Sequence, residues 1–248
     1  MSLRIASLLA VSAFLGSSCL SPRPPEVRPP EHVLAGLLDD LETVRGGSFD
    51  REGARPTEAD VQREQFLVSK VRQLALRHPR HVVVLTANAA LSYDAGDPID
   101  AQRYVDQALS YQPDHVPAIL LRVRIAAEAG NLPFARRVVT EQLALTPDDA
   151  DLREALSGVL YLEGDHDGAL RQLEYVDRLR EGGLGKWRTD YHRGLIAEAQ
   201  GELVTAREAF RRSHEANPSF APALSRWRWL REGGGLDEAA ESPAETRP

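Results

Sequence analysis

What most constrains this chain is a repeat of 34 residues. Gly96, Gly130 and Gly164 stand 34 apart, Ala101, Ala135 and Ala169 each follow five residues later, and Pro113 and Pro147 keep the same distance. A period of this length, carried by turn glycines and small residues, is that of helical hairpins stacked side by side rather than of one closed core. The spacing predicts an all-α superhelical solenoid of antiparallel helix pairs. Function is then to be sought on the surface of the stack.

The clearest unit runs from Val82 to Asp114. Val83, Val84, Ala87, Ala90 and Leu91 give one face of a first helix, Gly96-Asp97 turns the chain, Ile99 to Leu109 forms a second helix, and Gln112-Pro113-Asp114 stops it. Ala101 and Ala108 fall where two helices must approach closely. The second unit, Val116 to Asp148, carries Gly130-Asn131, Ala135, Val139 and Pro147; the third, Asp149 to Arg180, carries Gly164-Asp165, Ala169, Leu173 and Val176. The next turn glycine, Gly201, lies 37 residues beyond Gly164, and Glu181-Gly182-Gly183-Leu184-Gly185 absorbs the three additional residues in a loop. Gly201, Ala206, Phe210 and Pro218 then resume the offsets of five, nine and seventeen. An insertion confined to a connection leaves packing faces intact.

Gly-Asp, Ala five later, an apolar residue four further on and Pro after a second helix resemble tetratricopeptide repeats, over Val82 to Pro218. The family's small residue seven before the turn is matched by Ala89, Ser157 and Gly194 but not by Val123, which is expected to splay the second unit. The later small position is missed by Gln142 and Val176. Flanking helices are expected over Glu31 to Val44, with Val33, Leu34, Leu37, Leu38 and Leu41 as an apolar stripe, and over Thr57 to Arg77, with Phe66, Val71, Leu74 and Ala75 inward. Pro56 to Asp60 makes the start of the latter, and Arg45 to Arg55 joins the two. Phe220 to Arg231 reads as a first-type helix that caps the stack, since Gly233-Gly234-Gly235 and a polar tail do not favour a following one. The implied organisation is 1–18 signal, 19–30 tether, 31–81 irregular repeat helices, 82–218 four repeats, 219–235 capping helix and 236–248 tail.

The start of the chain reads as an export signal. Arg4 precedes an apolar run from Ile5 to Leu15, too short for a membrane span of roughly 20 residues. Gly16-Ser17-Ser18 then leads to Cys19, the single cysteine of 248 residues. This segment resembles a bacterial lipoprotein signal, although Gly16 stands where that family usually has Leu. The resemblance implies lipidation of Cys19 and anchoring by acyl chains; Leu20 in place of Asp implies the outer membrane, with the body on the periplasmic face. Pro22, Pro24, Pro25, Pro29 and Pro30 make a semi-rigid tether.

The net charge of -7 opposes non-specific binding to nucleic acid. No metal site is expected from His78 and His81, which Pro79 separates. No cofactor or catalytic residue is expected either: Gly182-Gly183-Leu184-Gly185 lacks a phosphate-loop context, and Ser157 and His192 form no supported triad.

In tetratricopeptide repeats the first helix of each hairpin lines the inner curve. The resemblance brings to that face Tyr93 and Tyr161 at one repeated position, Glu154 and Tyr191 at another, Arg124, Leu195 and Trp229 at a third, and Glu128 and Glu198 on the rim. Tyr, Trp and Arg suit capture of an extended peptide or partner helix. Each tyrosine has a second reading as filler of the seam between repeats, and Trp229 as an end cap. Trp227 is expected in the core, and Trp187 fits either role. Signal, short tether and about six repeats together resemble the pilotins of type IV pili, which imply a secretin as partner. An adaptor for cell-wall synthesis or outer-membrane protein assembly is the alternative; a peptidoglycan hydrolase would need paired acids in a cleft.

Overall fold

The computed structural model describes residues 28–49, 57–180, 183 and 185–233, so the signal segment, Cys19 and the tail from 236 lie outside the described residues. The described residues form helices and no strands: α1 Pro30–Phe49, α2 Glu58–Arg77, α3 Val82–Asp94, α4 Pro98–Tyr111, α5 Val116–Glu128, α6 Leu132–Leu145, α7 Ala150–Leu162, α8 His166–Leu179, α9 Lys186–Ala199, α10 Leu203–Ala216 and α11 Ala221–Arg231. The hairpins α3–α4, α5–α6, α7–α8 and α9–α10 are the four repeats. Each pair packs on the next.

One turn closes all four hairpins. Gly96, Gly130, Gly164 and Gly201 adopt φ of 77 to 82°, a left-handed conformation that a side chain resists. The following amide then reaches back to the last helical turn, as in Asp97 N to Ser92 O at 2.9 Å and Asp165 N to Leu160 O at 2.9 Å. In three units the residue after glycine also begins the next helix: Asp97 Oδ1 accepts from Asp100 N at 2.9 Å, Asn131 Oδ1 from Phe134 N at 3.4 Å and Asp165 Oδ1 from Gly168 N at 2.8 Å. Gly-Asp therefore ends one helix and caps another. Thr57 and Asp60 cap each other's amides at the start of α2.

Within each hairpin, closeness comes from alanine. Ala101, Ala108, Ala135, Ala169 and Ala206 are fully buried. Seven residues before the turn glycine stand Ala89, Val123, Ser157 and Gly194; nine after it stand the buried Val105, Val139, Leu173 and Phe210. The smallest residue thus meets the largest: a Cβ on Gly194 would lie 2.5 Å from Phe210 Cε1. With Val123 instead of a small residue, α5 and α6 lie against each other less extensively than the helices of the other three pairs, as expected from the sequence.

The core is divided. A central apolar cluster runs from α3 to α8 and reaches Ile196, a second joins α1, α2 and α3, and a third holds Ala197, Ala206, Phe210 and Leu230 at the C-terminal end. In α11 the small position is taken by Arg228, which is exposed and keeps that surface polar.

Four expectations about the N-terminal part are corrected. Phe66 is 58% exposed and Leu67 is buried in its place: by the 34-residue register Leu67 matches the buried Ala101, whereas Phe66 matches the surface residue Asp100. Val83 is 46% exposed, because its register position is that of the exposed Asp151 and the half-buried Arg188. Val33 lies at the exposed edge of its stripe, while Leu34 and Leu41 are buried. The connection after Val44 is shorter than the segment from Arg45 to Arg55, since α1 continues to Phe49.

Gly194→Ala should lower stability by roughly 1–3 kcal/mol through overpacking against Phe210. Adding Phe210→Val, which recreates the Ala89 and Val105 combination, should recover most of that loss. Urea unfolding of Gly194→Ala, Phe210→Val and the double variant against wild type checks both expectations.

Candidate protein-binding groove

The first helices α5, α7 and α9, with Phe220 ahead of α11, jointly line a groove of about 790 Å³. Its floor is apolar, with Leu120 and Ala127 from α5, Ala155 and Gly158 from α7, and Leu195 from α9. Tyr161, Trp187, Tyr191 and Phe220 supply aromatic surface.

Of the residues expected to contact a partner, Arg124, Glu128, Glu154, Tyr161, Tyr191 and Leu195 line this groove together. Tyr93 lies in the adjoining depression, which shares Arg124 and Glu128. Glu198 and Trp229 line neither. Glu198 accepts from Arg226 Nη1 at 2.7 Å, and Trp229 stands 46% exposed on α11.

Each tyrosine packs with one part and presents another. The Tyr161 ring stacks on His166 at 5.9 Å and touches the central cluster. Tyr191 meets Phe220 edge-on at 4.9 Å and Phe210 at 5.5 Å, and burial pushes its phenol above the ordinary range. Arg124 lies over the Tyr93 ring at 4.7 Å; burial, followed by the Glu128 carboxylate, pushes that phenol up to about 12. Trp187 packs on Phe220 at 4.7 Å, so this residue also serves both roles. Trp227 joins the C-terminal cluster.

The charged part of the groove is built around Glu154. Its side chain is 5% exposed, accepts from Arg180 Nη1 at 2.8 Å and forms an ion pair with Arg188 Nε at 2.9 Å. Arg180 also reaches Asp151 at 2.6 Å, and Arg188 lies 3.6 Å from the same carboxylate. A carboxylate this buried requires such partners. Glu154 is therefore an internal anchor rather than a free contact residue. The loop before α9 helps to set Arg180: Gly185 has φ of 72°, and a Cβ there would lie 3.3 Å from Arg180 Nη1. Glu181, Gly182 and Leu184 lie outside the described residues.

Asp151, Arg188 and His192 are groove residues that sequence reasoning passed over, as it did Arg180, which pairs with Asp151 and Glu154. Asp151 and Arg188 each stand thirteen before their turn glycine, so opposite charges at one repeat position were the available signal. His192 borders the groove with Nδ1 buried, without a hydrogen-bond partner, 3.9 Å from Glu154 Oε1. Burial lowers its pKa; Glu154 opposes the shift, and Arg188 and Arg180 reinforce it.

Ser157 is turned into its hairpin, donating to Ala169 O at 3.0 Å. His81 pairs with Glu31 at 3.1 Å. Among the described residues no group of three His, Cys, Asp or Glu could hold a metal ion, and no helix is long and apolar enough to cross a membrane.

Glu154→Ala should cost about 3 kcal/mol, the low end for breaking a buried pair because Arg188 is partly exposed; thermal or urea unfolding reads this. The lowered pKa of His192 means that the unfolded chain binds the proton more tightly. Its contribution to stability is present above the ordinary imidazole value of 6.5 and is lost as pH falls below it. Between about pH 7 and pH 5, wild type should lose more stability than His192→Gln, measured by urea midpoints across that range.

The tetratricopeptide repeat family model matches residues 92–159. No curated protein matches the chain in sequence. Among solved structures, a tetratricopeptide repeat protein from Parabacteroides merdae superposes with TM-score 0.60 at 16% identity, covering 81% of this chain and 80% of its own. A thermophilic tetratricopeptide repeat protein of Thermus thermophilus gives 0.60 at 15% identity, covering 78% and 98%. PilW, a widely conserved type IV pilus biogenesis factor, gives 0.50 at 18% identity, covering 77% and 81%. The turns, the buried alanines and these superpositions show the fold of the described residues, an all-α solenoid of helical hairpins, and residues 92–159 of it match the tetratricopeptide repeat model.

Proposed function

We propose that this protein is a periplasmic scaffold, anchored to the outer membrane through Cys19, whose groove holds a segment of an envelope assembly protein. The observation that carries the binding role is the groove itself: three consecutive first helices line one surface with apolar floor, aromatic walls and paired charges. Such a surface recruits by burying apolar and aromatic area while polar groups set orientation. The anchor rests on the sequence from Arg4 to Cys19, and the prolines that follow it suit a spacer between lipid and solenoid.

A secretin of a type IV pilus is the partner we favour. The shared solenoid with PilW is in keeping with that choice, as is the order of signal, tether and repeats. Adaptors of wall synthesis or outer-membrane protein assembly would use the same kind of groove, so the partner recovered decides between them.

Capture from detergent-solubilised envelope should use wild type and an Arg124→Glu/Leu162→Asp variant. Both positions line the groove and are exposed, Leu162 at 52%, so folding should be preserved. Secretin recovered with wild type and lost with the variant is the expected outcome. Recovery of wall synthases instead overturns the pilus assignment, and equal recovery with both proteins overturns the groove. Cys19→Ser should remove labelling by a palmitate analogue and shift the protein out of the outer-membrane fraction.

A further inference from the structure

Two glycines lie inside first-type helices of the repeats, and their surroundings differ. A Cβ on Gly194 would collide with the Phe210 ring, so packing inside the hairpin demands that glycine. A Cβ on Gly158 would meet nothing within 4 Å, although glycine weakens a helix interior relative to alanine. Internal packing gives Gly158 no reason to lack a side chain.

Its place in the groove supplies one. At the same repeat position the other first helices carry Ala90, Arg124, Leu195 and Trp229, so Gly158 leaves a notch in the floor between larger neighbours. A narrow cleft bordered by Ser157, Tyr161, His192, Leu195 and Ile196 lies against it. His192, whose Nδ1 is buried without a hydrogen-bond partner, borders the same cleft.

Charge narrows what can enter. Arg124 is paired with Glu128, and Arg180 and Arg188 are paired with Asp151 and Glu154. These pairs cancel, so the groove carries no surplus of either sign despite the net charge of -7 on the whole chain. A charged side chain pressed onto the Gly158 floor would lose its water with no counter-charge left to meet it. The volume of about 790 Å³ also suits a few residues of chain and falls within the range of pockets that enclose a small ligand.

We propose that the Gly158 notch receives a bulky apolar side chain from a short extended partner segment carrying no net charge. The proposal rests on the reading of the groove as a partner site and names the chemistry of what it holds. Tyr161 and Leu195 flank the inserted side chain.

Random heptapeptides displayed on phage are selected on the full chain, and the enriched sequences are resynthesised with a fluorophore as binding probes. The expected sequences hold Leu, Met or Phe and no net charge. Gly158→Leu and Gly158→Met, which fill the notch, should weaken binding roughly tenfold or more, while circular dichroism shows them folded. Gly158→Ala should raise the thermal midpoint and weaken binding less. Gly36→Leu, on an exposed position of α1 with nothing within 4 Å, should leave binding unchanged. Enriched peptides that are acidic or basic overturn the proposal, as does wild-type affinity in both filling variants. If binding survives filling but falls with Arg124→Glu/Leu162→Asp, the notch fails and the groove stands. If nothing is enriched, or no groove substitution matters, both readings fail.

Discussion

The whole solenoid depends on how closely the two helices of each hairpin can approach. Fully buried alanines at one repeated position bring the second helix down onto the first, and the residue seven before each turn decides how much room remains. Where that residue is glycine, a phenylalanine fills the space; where it is valine, the hairpin is looser. Stacking then follows from geometry, because each closed hairpin still exposes an apolar side that its neighbour covers. The inner face is left to the first helices alone, and this is why residues distant in sequence share one groove.

Boundaries were legible because local chemistry marks both ends of each helix. Gly-Asp or Gly-Asn makes a left-handed turn and a cap, and proline follows the second helix. The faces of the flanking helices were less so. Choosing Phe66 over Leu67 favoured the aromatic residue over the register, although the 34-residue period placed Leu67 on the buried Ala101 position. Val83 failed for the same reason.

The groove was legible in part. Repeat phase collected Arg124, Glu128, Glu154, Tyr161, Tyr191 and Leu195 on one surface. It did not reveal that Glu154 is held by Arg180 and Arg188, because those partners come from either side of the insertion that interrupts the period. Nor does phase separate packing from presentation for a tyrosine. Tyr191 sits against Phe210 and Phe220 yet still faces the groove, so both readings describe parts of one side chain.

The junction between α8 and α9 differs in kind from those before it. On the groove side it is joined by Arg180, Arg188, Asp151 and Glu154; elsewhere Thr189 and Arg193 bind Asp177. The central apolar cluster ends there, with Ile196 alone crossing from α9, and the C-terminal cluster begins. Ion pairs weaken with salt and tolerate sliding better than interlocked aliphatic chains do. Charged and polar contacts thus share with Ile196 the work of carrying the last hairpin and its terminal helix on the rest of the stack.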